Sequence, residues 1–158
     1  MEVVLVIGAL LIGMVIGGVF VCRAASKETI RWKELSEKHF RMFDLAAAWI
    51  SIRQNDKELS HYFEKKGYKT VAIYGMSYLG RLLREELRNS SVEVVFGIDR
   101  TGQGIGGVDI PVYMPDDDWE TVDVIVVTAV DFYGEIKEAI QKKRSVAVIS
   151  LEDVVLHC

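Results

Sequence analysis

Apolar and polar positions divide the chain into three stretches of different period. Val3 to Cys22 is twenty residues without a charge. At about 1.5 Å per helical residue, that length matches the roughly 30 Å of a bilayer's hydrocarbon core. From Ser26 to about Arg53, Trp32, Leu35, His39, Met42, Ala46 and Trp49 recur at alternating spacings of three and four, with Phe43 and Ile50 alongside. That period predicts an amphipathic helix whose interleaved Arg, Lys and Glu form a solvated face. Its seam covers fewer than three heptads, short of a coiled-coil signal; packing on the following domain or lying at a membrane surface are the alternatives. Gln54-Asn55-Asp56 breaks the helix. Asp56 is then expected to cap a second one, Lys57 to Lys66, which Gly67 ends.

From Tyr68 the pattern changes to short apolar runs separated by turns and helical segments. Strands are expected at Val71 to Tyr74, Val92 to Ile98, Val108 to Tyr113, Asp123 to Thr128 and Ser145 to Ile149. Pro111 marks the third as an edge, and the all-apolar fourth reads as a buried parallel strand. Helices are expected from near Tyr78 to Leu87, with Leu79, Leu82, Leu83 and Leu87 on one face, and from Phe132 to Lys143. A short helix capped by the aspartates after Pro115 and a terminal turn, Leu151 to Val155, capped by Ser150, complete the set. Thr101 to Gly107 is rich in glycine but precedes no helix, so it reads as a mobile connection and not a phosphate loop. Short crossovers of this kind predict an α/β fold with five parallel strands in the order 3-2-1-4-5, and a ligand crevice between the ends of strands one and four.

The turn after the first strand carries the candidate chemistry. Gly75-x-Ser77-x-x-Gly80 is the dinucleotide-binding pattern with serine at the middle glycine. Gly75 permits the tight turn, Ser77 lets the backbone approach a phosphate, and Gly80 lets helix press on strand. The helix N-terminus offers N–H groups and a positive dipole end to an anion. Asp99 ends the second strand about twenty residues later, where an acidic side chain bonds a ribose hydroxyl. The expected site is therefore Gly75, Met76, Ser77, Tyr78, Leu79, Gly80, Asp99, Arg100 and Thr128, the crevice wall extending to Val130. Arg100 directly after the acid leaves the choice between NAD and NADP open. The layout is that of a Rossmann-like domain over residues 68–158, preceded by a helical region, 23–67, and an anchor, 1–22. An architecture of this kind can also stand empty.

Charge narrows the setting. No Lys or Arg precedes the apolar run, which is too long for a signal-peptide core and lacks a small-x-small cleavage site, so it is expected to remain as an anchor. The residues before Cys22, Val19-Phe20-Val21, do not fit a lipoprotein signal. Arg23, Lys27, Arg31 and Lys33 follow the span, placing the rest of a single-pass protein of the plasma membrane in the cytoplasm. Gly13-x-x-x-Gly17, extended by Gly18, would let two anchors approach closely. The formal net charge of −4 argues against a nucleic-acid partner. Cys22 and Cys158, one near each end, offer neither a disulfide framework nor a metal spacing.

Catalytic groups are scarce. Tyr133-x-x-x-Lys137 has the Tyr/Lys spacing of short-chain dehydrogenases, in which the lysine lowers the tyrosine's pKa. It follows the fourth strand, however, and lacks that family's serine partner and further strands. Tyr62-x-x-x-Lys66 repeats the spacing before the α/β fold begins. His39, on the apolar seam, reads as a packed side chain, and Asp116 to Asp118 as helix-capping charges with no metal. No complete catalytic set is visible.

The segments Val71 to Leu83, Val94 to Asp99, Ile110 to Tyr113 and Asp123 to Thr128 resemble the Rossmann-like module of surface-polysaccharide enzymes. They are similar to the domain preceding the dehydratase in membrane-bound CapD-type nucleotide-sugar dehydratases, to the N-terminal domain of PglD-type sugar acetyltransferases, and to the C-terminal domain of sugar C-methyltransferases. The resemblance covers about residues 68 to 150. It implies binding of NAD(P) or a nucleotide sugar at Gly75, Ser77, Gly80 and Asp99, beside enzymes of bacterial surface-glycan synthesis. The catalytic domain that partners this module in those families is absent, so binding carries over and catalysis does not. Two other readings stay open: a membrane-tethered oligomerisation or scaffold protein with an empty domain, and a small oxidoreductase using Tyr133 and Lys137.

Overall fold

The computed structural model describes residues 1–102 and 109–158. They form two compact units, Met1–Phe43 and Asp44–Cys158. One helix, α1 (Glu2–Gln54), runs without a break through the apolar run and the amphipathic stretch. The expected anchor falls almost wholly on side chains outside the described set. Among the described residues no helix is long and apolar enough to cross a membrane. Most of the glycine-rich connection, and Val108, likewise lie outside them.

The seam of α1 does not have one environment. Leu45 and Trp49 are buried in the second unit, whereas Trp32, Leu35, Phe43 and Ile50 are exposed. His39 is exposed too, which corrects the expectation of a packed side chain. The second helix, α2, is shorter than its pattern suggested, Ser60–Lys66, and Asp56 does not cap it. Asp56 instead adopts φ 55°, the left-handed conformation that Asp tolerates better than most residues, and so turns the chain after α1. Gly67 ends α2 at φ 75°, donating its N–H to the Glu64 carbonyl, as a glycine C-cap does.

The remaining elements are β1 (Thr70–Tyr74), α3 (Tyr78–Leu87), β2 (Glu93–Ile98), β3 (Val112–Tyr113), β4 (Val124–Val127), a 3₁₀ turn (Val130–Phe132), α4 (Tyr133–Lys143), β5 (Ala147–Ser150) and α5 (Leu151–Leu156). The five strands form one parallel sheet in the order β3-β2-β1-β4-β5. This is the expected Rossmann-like order, with Pro111 directly before the short edge strand. All four residues of β4 are buried, as a central parallel strand covered on both faces requires. Residue alternation sends Ala72, Phe96, Ile98, Ile125, Val127 and Val148 to one face, where they meet Trp119, Val122 and Ile140 of α4. The other face carries Ile73, against which Gly80 of α3 packs. Ser150 caps α5 as expected, its hydroxyl accepting from Asp153 N at 3.0 Å.

Two local expectations fail. Leu82 is exposed while Leu79, Leu83 and Leu87 are buried, because a helix on one sheet face buries only a narrow stripe. The segment after Pro115 is a turn and not a helix: Asp117 N donates to the Met114 carbonyl and the Asp117 carboxylate accepts from Met114 N at 2.7 Å. An Asp that closes its own local turn competes with helix formation.

Candidate functional site

Strand register brings the glycine turn to the switch point of the sheet. Tyr74, the last residue of β1, stands opposite Ile98 on one side and Val127 on the other. Gly75 therefore lies between Asp99 and Thr128, the next residue of each neighbouring strand. Gly75 N donates to the Ile98 carbonyl at 2.8 Å, and Thr128 N to the Tyr74 carbonyl at 2.9 Å. This is the position at which open α/β sheets bind ligands.

Two glycines are required by contact. Gly75 has φ +99°, and a Cβ there would stand 2.7 Å from Thr128 Oγ1. A Cβ on Gly80 would stand 2.1 Å from the Gly75 carbonyl oxygen. The turn and the first turn of α3 are thus in backbone contact.

Asp99 ties the turn to the end of β2. Its Oδ2 accepts from Met76 N at 3.0 Å, and its Oδ1 accepts from Thr101 N at 3.0 Å and Thr101 Oγ1 at 2.9 Å. Burial pushes the Asp99 carboxyl up. The bonds from Thr101 and Met76, with the Arg100 charge adjacent, outweigh it and hold the group below the ordinary carboxylate value. A carboxylate accepts about four hydrogen bonds, so one acceptor position is left. Thr128 clamps the other side, its hydroxyl donating to the Gly75 carbonyl at 2.6 Å, with the Tyr74 carbonyl at 3.2 Å.

The expected site residues thus divide by role. Met76 and Leu79 point inward and are buried, and Met76 fills the space beside Gly97, where a Cβ would stand 2.6 Å from its Cγ. They offer only backbone to a ligand. Tyr78 and Arg100 are exposed. Ser77 precedes α3 without making a side-chain cap bond. Among the described residues, the N–H groups of Ser77, Tyr78, Leu79 and Gly80 meet no acceptor. The turn therefore presents a row of free donors beside an ionised carboxylate, an arrangement suited to a phosphate next to a sugar hydroxyl.

The Tyr133–Lys137 pair stands elsewhere. The Tyr133 hydroxyl donates to the Val148 carbonyl at 3.0 Å, and Lys137 Nζ donates to the Tyr133 hydroxyl oxygen at 3.2 Å. The phenol ties α4 to β5 and has no bond to the turn. An open hollow bordered by Lys142, Arg144 and Ser145 lies at the opposite end of the sheet, before β5 begins. Two of its cations are engaged, Lys143 with Asp116 and Arg144 with Asp118. No group of metal-binding side chains occurs among the described residues.

Sequence reasoning missed one pin of the site's scaffold. Asp123 Oδ2 accepts from Lys69 N and Thr70 N, each at 2.8 Å, and Asp123 N meets Thr70 Oγ1 at 3.0 Å. This fastens the starts of β1 and β4 together. An acidic residue just before an apolar strand is its only trace in the sequence. No family model matches the chain, and comparison with curated proteins and with solved structures finds no match.

Proposed function

We propose that this protein is a nucleotide-binding module for NAD(P) or a nucleotide sugar, held at the cytoplasmic face of a membrane by Val3 to Cys22. In this reading it works as an accessory to enzymes of surface-polysaccharide synthesis. The observation that carries it is the pairing, at the switch point, of free N–H groups from Ser77 to Gly80 with Asp99, whose Oδ2 is fastened to the same turn through Met76 N. The N–H row receives the phosphates. The remaining acceptor position of Asp99 takes one ribose hydroxyl. An ionised Asp99 favours a free hydroxyl over a 2′-phosphate, so NAD or a UDP-sugar is expected to bind more tightly than NADP.

The test is a thermal-shift panel on the full chain in detergent, with NAD, NADP and UDP-sugars. A shift with one of the first group, lost in Asp99→Ala, supports the reading. No shift with any of them refutes it.

A further inference from the structure

The edge strand β3 has little pairing of its own. It meets β2 over two residues, Gly97↔Val112 and Ile98↔Tyr113. Gly97 N donates to the Pro111 carbonyl and Asp99 N to the Tyr113 carbonyl, each at 2.9 Å. Pro111 has no N–H to add. The Tyr113 ring meets Phe96 edge-on, with centroids 5.5 Å apart.

A charge contact from α3 supplements that pairing. Asp109 lies just before β3 and accepts from Arg84 at 2.8 Å and, more loosely, from Arg88 at 3.4 Å. The partners of the shorter pair differ in burial. The Arg84 side chain is 13% exposed, whereas Asp109 is 54% exposed. Arg84 Nε is buried and, among the described residues, meets no acceptor. Arg88 is more exposed than Arg84 and also pairs with Glu85 at 3.2 Å. Asp109 therefore compensates a guanidinium that has little water around it. The unpaired Nε leaves the closed arrangement one hydrogen bond short, which weakens it.

We propose that this contact is a latch: Asp109 on Arg84 keeps β3 on the sheet and, through the Tyr113 carbonyl, positions the backbone of Asp99. Removing Arg84 takes away the hold alone and leaves Asp109 in water. Removing Asp109 takes away the hold and also strands a buried positive charge. The relief is local, because β3 is the shortest strand and stands at the edge of the sheet. The latch is therefore asymmetric, and β3 opens more when Asp109 is lost than when Arg84 is. Its bearing on ligand binding rests on the role proposed above for Asp99; the latch itself does not.

Amide hydrogen exchange of the full chain in detergent, resolved by residue, tests this. The reporters are Gly97 N and Asp99 N, which donate to the β3 segment. Ile73 and Val126, in the central strands, are the controls. Arg84→Met is expected to speed exchange at the reporters several-fold and Asp109→Ala more strongly still, by about tenfold or above. The double variant should match Arg84→Met, since no charge is left stranded. The controls should not move. In the wild type, salt raised to about 1 M, where charges are screened within about 3 Å, is expected to speed the reporters and to leave the double variant unchanged. Equal exchange in wild type and Asp109→Ala, reporters and controls rising together, or a double variant as open as Asp109→Ala would overturn the latch. If Asp109→Ala does not fold, the salt response decides, and a wild type whose reporters do not respond overturns it. Failure of every nucleotide to bind would refute the proposed function and leave this result standing.

Discussion

Gly80 and the carbonyl oxygen of Gly75 are in contact: a Cβ at position 80 would come within 2.1 Å of that oxygen. Backbone cannot give way as a flexible side chain does. Gly80→Ala is therefore expected to lower stability by about 3 kcal/mol, the upper part of the range for overpacking. Gly134, on α4, has nothing within 4 Å of its Cβ position. Gly134→Ala is expected to be neutral or to stabilise by up to about 1 kcal/mol through helix propensity. Urea unfolding of the two variants checks the pair.

Asp99 gives the site an acid-sensitive element. Its carboxyl titrates below the ordinary value in the folded chain. Its contribution to stability is thus present above the unfolded value, near pH 4, and is lost as pH falls through the folded one. Asp99→Asn keeps an oxygen for Met76 N but removes the charge. A loss of about 1 kcal/mol is expected at neutral pH, shrinking toward zero as pH falls through the lowered folded-state value. Melting curves across this range would show it, and a constant difference would contradict it.

Asp123 is the counterpart at the other end of the sheet. Hydrogen bonds from Thr70 N, Lys69 N and the Thr70 hydroxyl, together with the Lys69 charge, lower its carboxyl pKa despite slight desolvation. Asp123→Ala is expected to lower the melting temperature at neutral pH and to blunt the wild type's loss of stability on acidification. The starts of β1 and β4 should also exchange amide hydrogens faster, with Thr70 N the most affected.

Tyr133→Phe separates packing from chemistry. The hydroxyl's bond to the Val148 carbonyl contributes about 1 kcal/mol as a part-buried hydrogen bond. The variant is expected to lose that amount in urea unfolding while any thermal shift produced by NAD or a UDP-sugar stays unchanged. Loss of the ligand response with stability intact would instead place Tyr133 in the site.

Much of the α/β unit was legible because its signals are local. Apolar runs of four to six residues, Gly75, Gly80, Pro111 and Ser150 each dictate backbone geometry through their own chemistry. Strand order followed, since short crossovers between parallel strands leave few arrangements. Side-chain roles were less legible. Thr128 reads as a wall of the crevice but acts as a clamp on the Gly75 carbonyl. Met76 reads as a ligand contact but is buried beside Gly97. Leu82 shares a heptad-like row with Leu79 yet faces water. Such assignments depend on neighbours far along the chain, which periodicity does not carry.

The amino-acid sequence alone determined the strands, the glycine turn and the 3-2-1-4-5 order, because steric limits on glycine, proline and apolar spacing act within a few residues. Only the tertiary structure decided how each polar group is used: Asp99 fastened to Met76 N, Thr128 to Gly75, and Asp123 to the start of β1. Those bonds join residues 23 to 53 positions apart. Their existence depends on strand register, a property of the assembled sheet and of no single segment.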